Sequence, residues 1–458
     1  MSLEEKIGQL FVAPACPLLG KPHRTQWLHL LEQFHIGNAI LKQSDPETQI
    51  AFLNELQTSS KQPLFILADA EWGLGMRMSG TISFPRNMTL GAIQDLSLLE
   101  HLGEEIARQA RLVGIHMNLA PVLDINSNPN NPVIHTRSFG DHPQEVAERG
   151  ARLIRGLRKG GIYSCPKHFP GHGDTEIDSH LGLPKSSPQP LEPFLRAIEE
   201  GVPALMTAHI LVPSLDPNLP ATLSFPILTS LLRETLHFAG LIVTDALNMK
   251  ALTTHFSAEE IACLSHAAGA DLLLYGDHIS SEVDAILNDQ IPRAYQALLD
   301  FYRNRPVERL DASVRRILQA KEAMGLFNIR TVEKNPDLNT EEALALKERL
   351  FQEAITQLGE QPAVGTSQTV VWVQGIKNNE KNFGLNEEDL ALYRHFASNP
   401  HVIFCLFGSP YALSLFPKTA NILVAYEDDE AAHRAVRRIL RGEKQAVGRL
   451  PISLELGK

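Results

Sequence analysis

Eight short apolar segments, each followed by a longer stretch with helical spacing, constrain this chain more than any other feature. They are LFVA from Leu10, NAIL from Asn38, LFILA from Leu64, IHMNLA from Ile115, IYSC from Ile162, ALMTA from Ala204, LIVT from Leu241 and LLLY from Leu272. Such short, β-rich and largely apolar segments read as candidate strands. Between them, SDPETQIAFLNELQ from Ser44 and DHPQEVAERGARLIRGLRKG from Asp141 each open on a capping residue and then place apolar residues at helical intervals. Strand alternating with helix eight times predicts an α/β fold, a (β/α)8 TIM-type barrel; fewer true strands would give a doubly wound sheet instead.

At 458 residues the chain is longer than one such barrel needs, which is about 250. DASVRRILQAKEAMGLF from Asp311 reads as a closing helix and NIRTVEKNPDLNT from Asn328 as a polar linker. The expected division is a barrel over 1–330, a linker over 331–340 and a small α/β domain over 341–458. That domain is expected to hold a helix over EEALALKERLFQEAITQL, strands at TVVWVQ, HVIFCLF and NILVAY, and a helix over AAHRAVRRILRG whose Arg437, Arg438 and Arg441 form a solvated face. Its sheet edge is expected to pack on the barrel or on a second copy, making it a docking or homodimerising unit.

Hydrophobic residues at 43% and charged residues at 21% describe a soluble globular chain. A net charge of −11 without any dense run of Lys and Arg argues against nucleic acid as a partner, and no apolar run approaches the ~18 residues of a membrane span. Four scattered cysteines without a Cys-x-x-Cys fit buried thiols in a reducing compartment. The start MSLEEKIGQL is acidic and lacks the pattern of a secretion signal, so a cytoplasmic location is expected.

Barrel chemistry gathers at the C-terminal ends of strands, and here those ends are polar. Asp69, Glu71 and Arg77 follow the third segment, Asp124 and Arg137 the fourth, Lys167 and His168 the fifth, His209 the sixth and Asp245 the seventh. Within KHFPGHGDTEIDSHLGLP, Asp178 stands two residues before His180. A carboxylate so placed can hold one ring nitrogen and leave the other to exchange protons with a substrate. Gly171, Gly173 and Gly182, with Pro170 and Pro184, put this pair on a loop able to close over a ligand. A rival reading takes His168, His172, Asp174, His180 and His209 as metal ligands, His168 and His172 having the spacing of helical zinc ligands. Pro170, Gly171 and Gly173 would break that helix, so neither metal nor cofactor is expected. A non-catalytic binding or scaffolding protein is a further alternative.

KHFPGHGDTEIDSH followed by GLIVTDALNMKAL resembles the signature pair of glycoside hydrolase family 3, in its β-N-acetylglucosaminidase branch. The resemblance extends through EEKIGQLF, DAEWGLGMR, RSFGDHP and MTAHI over most of residues 1 to about 330, and LFGSPYAL and GRLPISL are similar to that family's C-terminal α/β sandwich in abridged form. It implies Asp245 as nucleophile, forming a covalent glycosyl-enzyme resolved by water with retention, His180 as acid and then base, and Asp178 as the group that orients His180. It implies Asp69, Arg77, Arg137, Lys167 and His168 as sugar-binding residues. The substrate so implied is a small carbohydrate, terminal β-linked GlcNAc on a 1,6-anhydro-MurNAc muropeptide of cell-wall recycling. β-Glucosidase activity and transfer to phosphate are the alternatives within the family. The glycine usual after the first-loop glutamate is Trp72 here, an apolar wall for the sugar site.

Overall fold

The computed structural model describes residues 1–276, 280–359, 369–378 and 380–453. All eight segments form strands: β1 (Phe11–Ala15), β2 (Asn38–Leu41), β3 (Phe65–Ala68), β4 (Met117–Asn118), β5 (Tyr163–Ser164), β6 (Ala204–Met206), β7 (Leu241–Val243) and β8 (Leu273–Leu274). Six of them pair in the order β5-β4-β3-β2-β1-β8, and β6 pairs with β7. Every one of these pairings is parallel. The result is a mixed α/β architecture around a curled parallel sheet. Single parallel bridges, Phe169 to Thr207 and Val243 to Leu272, connect the ends of the β6-β7 pair to the segment that follows β5 and to the residue just before β8.

The intervening helices form where local chemistry permits. Asp45 caps Pro46–Ser59, its carboxylate accepting the Thr48 N–H at 2.9 Å, with Pro46 in the first turn where a missing N–H costs nothing. Helix Pro143–Lys159 buries Val146, Leu153, Ile154 and Leu157, and packs along Ser97–Leu112. Gly103 and Gly156 let the two backbones meet, because a Cβ on either would lie within 3 Å of the other helix.

The segment expected as a linker is polar and without regular structure, but it is pinned to the surface: Asn54 exchanges two hydrogen bonds with Val332, and Arg108 donates to the carbonyls of Asp337 and Leu338. Beyond it, the expected helix over 341–358 stops at Ala354. Its last residues form β9 (Thr356–Leu358), which runs antiparallel to β12 (Asn421–Val424). With β10 (Thr369–Val373) and β11 (Val402–Leu406) the sheet has four strands, ordered β10-β11-β12-β9, rather than three. Helix Glu430–Leu440 follows as expected, with Asp429 as its cap. Among the described residues this layer meets the rest of the molecule through the helix Glu341–Ala354, which packs on Asn87–Gly91 and Ser97–Leu112 and pairs Arg349 with Asp95, through residues beyond β11 and β12, and through 449–453. Among the described residues no helix is long and apolar enough to cross a membrane.

Candidate active site

The C-terminal strand ends converge on one cavity of about 560 Å³, lined by Asp69, Arg77, Arg137, Lys167, His168, His180 and Asp245 among others. Seven of the eight residues singled out from the sequence therefore share one space. The eighth, Asp178, stands behind His180: its Oδ1 lies 2.8 Å from His180 Nδ1 and also accepts the His180 N–H at 2.8 Å. The carboxylate thereby fixes the tautomer, since Nδ1 must carry the proton it donates. The His180 side chain is 46% exposed, at the cavity rim.

The loop bearing this pair takes its course from two glycines. Gly171 adopts φ of +125°, and at Gly173 a Cβ would sit 1.6 Å from the Ile125 carbonyl oxygen, so no other residue fits. Further along, Ser179 Oγ lies 3.3 Å from His172 Nε2, and the Ser179 carbonyl accepts the Ala251 N–H, which ties the loop to the segment after Asp245.

Ion pairs organise the floor. Lys167, 3% exposed, places Nζ 3.0 Å from Asp69 Oδ1 and 2.8 Å from Glu71 Oε1. Arg77 reaches the other Asp69 oxygen at 3.0 Å, and Arg137 grips Glu71 with two bonds, 2.7 and 3.0 Å. Burial alone pushes both carboxyls up, but the cations outweigh it. Lys167, Arg77 and Lys42 hold Asp69 well below the carboxylate range, and Arg137 and Lys167 hold Glu71 at about 2. Lys167 in turn is raised: its burial opposes the charge, and Asp69 and Glu71 more than restore it.

Asp245 is half-buried, two residues past β7, and its Oδ1 accepts the Ala246 N–H at 2.7 Å. Burial works to raise its carboxyl, but His209, His168, that N–H and Lys167 together bring it to about 2. It is therefore ionised across the physiological range and available as an electron-pair donor.

Of the groups left outside the sequence-derived site, Asp124 and His209 are buried supports. Asp124 Oδ2 lies 2.7 Å from His168 Nδ1, and its Oδ1 accepts the His172 N–H at 2.6 Å. His209 Nε2 donates to the Ala246 carbonyl at 2.9 Å and its Nδ1 meets Thr222 Oγ1 at 2.8 Å. His172 has Thr175 Oγ1 at 2.7 Å from Nδ1 and Ser179 at Nε2. These engaged ring nitrogens are not disposed as a ligand set, and among the described residues no three His, Cys, Asp or Glu side chains cluster as one. Sequence reasoning noted Glu71 at a strand end without assigning it to the site, and passed over Lys42; both are cavity residues. Lys42 directly follows β2, so the strand-end rule that found Lys167 could have found it. Trp72 does line the cavity, with the Arg86 guanidinium 4.7 Å above its ring.

Residues 2–320 match the model of the glycosyl hydrolase family 3 N terminal domain. Beta-hexosaminidase A of Pseudoalteromonas piscicida is 33% identical over 361 residues, covering 72% of this chain and 60% of that protein. The chain thus spans three fifths of that relative's length, and 58% of the length of the Cellulomonas fimi beta-N-acetylglucosaminidase/beta-glucosidase, to which it is 29% identical over 71% of its own residues. Among solved structures, a glycoside hydrolase family 3 beta-N-acetylglucosaminidase from Paenibacillus sp. superposes with a TM-score of 0.85 at 30% identity, covering all of both chains.

Proposed function

Because the chain belongs to glycosyl hydrolase family 3, we propose that it is a retaining exo-β-N-acetylglucosaminidase. Asp245 attacks the anomeric carbon while His180 Nε2 protonates the departing oxygen; water, deprotonated by His180, then releases the sugar from the Asp245 ester with net retention. Asp178 holds His180 in the required tautomer and stabilises the charged ring. Asp69, Arg77, Arg137, Lys167 and His168 bind the terminal sugar.

The observation that carries this reading is that Asp245 and His180 line the same cavity, with Asp178 bonded to the far nitrogen of the imidazole. A carboxylate held ionised and an oriented imidazole at a carbohydrate-sized space supply a nucleophile and a proton carrier without further groups. The substrate we propose is terminal GlcNAc on 1,6-anhydro-MurNAc muropeptides, taken up in cell-wall recycling in the cytoplasm. We read the first eight strands as one (β/α)8 barrel over 1–330, supported by the bridges that join the ends of the β6-β7 pair to the chain on both sides, and residues 341–458 as a separate α/β domain able to form a homodimer contact.

The test is chromophore release from an aryl β-N-acetylglucosaminide in phosphate-free buffer by the wild type and by Asp245→Asn. A fall of several orders of magnitude in the variant is expected. An inactive wild type, or a variant that keeps most of its rate, overturns the assignment.

A further inference from the structure

None of the residues lining the cavity comes from the four-stranded C-terminal layer among those described, yet that layer holds the loop that delivers Arg137 and the segments on either side that support it, at three places. Tyr411, beyond β11, accepts a 2.6 Å hydrogen bond from Asn126 Nδ2 and stands edge-on to the His135 ring, with centroids 5.1 Å apart. His135 is buried with neither ring nitrogen bonded to a described residue, so its ring acts there as a packing surface. Glu427, beyond β12, accepts from Thr89 Oγ1 at 2.5 Å and from the Arg86 N–H at 2.7 Å, at the start of the short helix Asn87–Gly91. The first residue of that helix, Asn87, donates through Nδ2 to the Arg137 carbonyl at 2.7 Å. At the third place the Asp141 N–H donates to the Pro451 carbonyl and the Asp141 carboxylate accepts the Ser453 N–H at 2.7 Å.

We propose that Tyr411 and Glu427 are positioning residues through which the C-terminal layer sets the guanidinium of Arg137 in the cavity, without touching the sugar themselves. The chain between Asn126 and Arg137 has a single helical turn, His135–Arg137, and Asn131 fixes its middle, accepting the Val133 and Ile134 N–H groups and donating to the His172 carbonyl, while its Asn126 end and the Arg137 carbonyl are held from Tyr411 and Asn87. A two-pronged bond to Glu71 demands that the guanidinium plane and position both be set. Tyr411 and Glu427 reach Arg137 by separate routes, one through Asn126 and His135 and the other through Asn87. Added to the bonds that Asn131 makes within the loop, they complete the setting of the arginine before substrate arrives.

This inference rests on the reading that Arg137 binds the substrate, and a mutant cycle separates the two. With the full chain and an aryl β-N-acetylglucosaminide, kcat and KM are measured for Tyr411→Ala, Tyr411→Phe, Glu427→Gln, Arg137→Ala, and each of the first three combined with Arg137→Ala. Tyr411→Ala and Glu427→Gln are each expected to lower kcat/KM by about tenfold, chiefly through KM, and Tyr411→Phe, which keeps the ring contact, by less. In the Arg137→Ala background those losses should vanish, an outcome that a general loss of stability would not produce. Losses that persist undiminished in that background, or singles with unchanged kcat/KM, overturn the proposal. If Tyr411→Ala shows no cooperative melt, Glu427→Gln and Tyr411→Phe carry the same cycle. An active enzyme in which Arg137→Ala itself costs nothing removes the reading of Arg137, and the proposal falls with it.

Discussion

Replacing Glu71 by Gln tests the ion-pair floor most directly. Glutamine has the shape of the protonated acid, so the cost of the change at neutral pH equals the preference of the folded protein for the charged form over the neutral one. That preference is the fall of the Glu71 carboxyl from 4.5 to about 2, worth about 3 kcal/mol at 1.36 kcal/mol per pH unit. The side chain is only 3% exposed, so solvent screening removes little of it. The sign follows from the direction: a carboxyl depressed on folding contributes fully above its unfolded value, near 4.5, and loses the contribution as pH falls toward 2. Urea unfolding followed by tryptophan emission, Trp27 being buried in the same part of the chain, should therefore show Glu71→Gln destabilised by about 3 kcal/mol at pH 7 and by much less at pH 3. A gap that stays constant between these pH values, or one below about 0.5 kcal/mol at pH 7, would refute the account of Arg137 and Lys167 as the source of the depression.

Other outcomes follow from the same geometry. With Asp245 at about 2, kcat/KM for the aryl glycoside should hold steady from about pH 6 down to about pH 4, and a half-fall centred between those values that Asp245 causes would contradict its electrostatic setting. Asp124→Asn, which removes the charge behind His168 and presents an amide to the His172 N–H, should lower kcat/KM about tenfold or more, measured beside a thermal melt to separate lost positioning from lost fold. The N–H groups of Leu181 and Gly182 bond only to the carbonyl of Asp178 nearby, so this stretch should exchange its amide hydrogens far faster than β1 to β3; equal protection would rule out a His180 loop able to open.

The strands of the curled sheet were legible because nearly all of their residues are apolar and buried, a pattern carried by the segment itself; β10 was legible by its β-branched run although it is partly exposed. Their ends were less so: IHMNLA reduces to Met117–Asn118 and LLLY to Leu273–Leu274, since a strand's ends are set by the partners it pairs with and not by its own apolar run. Ile355 to Leu358 looked helical because the apolar spacing of the preceding helix runs on through them, whereas their strand is dictated by β12, some 65 residues later, a contact no local pattern holds. Among site residues, Asp245, His180 and Lys167 stood out by their places in strand-end motifs. Glu71 stood in plain view beside Asp69 and was left out, because what makes it a site residue is Arg137, 66 positions away. Asp124 is similar: its meaning lies in His168 and His172, and only the fold brings them to it.

The charge arrangement explains why so many ionic groups can crowd one small space. Four cations, Lys42, Arg77, Arg137 and Lys167, act on two carboxylates, Asp69 and Glu71, so positive charge is in excess over these two, and the Lys167 charge also reaches Asp245. On the proposed reading that surplus keeps the nucleophile ionised, yet each step toward the glycosyl ester consumes the negative charge it stabilises, and the developing sugar cation is repelled by it. A larger surplus would thus make Asp245 more acidic and a poorer nucleophile. Asp69 and Glu71 limit that surplus, and so serve Asp245 as well as the sugar-binding cations. It follows that Glu71→Gln should slow kcat even at saturating substrate, where a residue that served binding alone would raise only KM. A variant with KM raised and kcat unchanged would confine Glu71 to orienting Arg137 and Lys167.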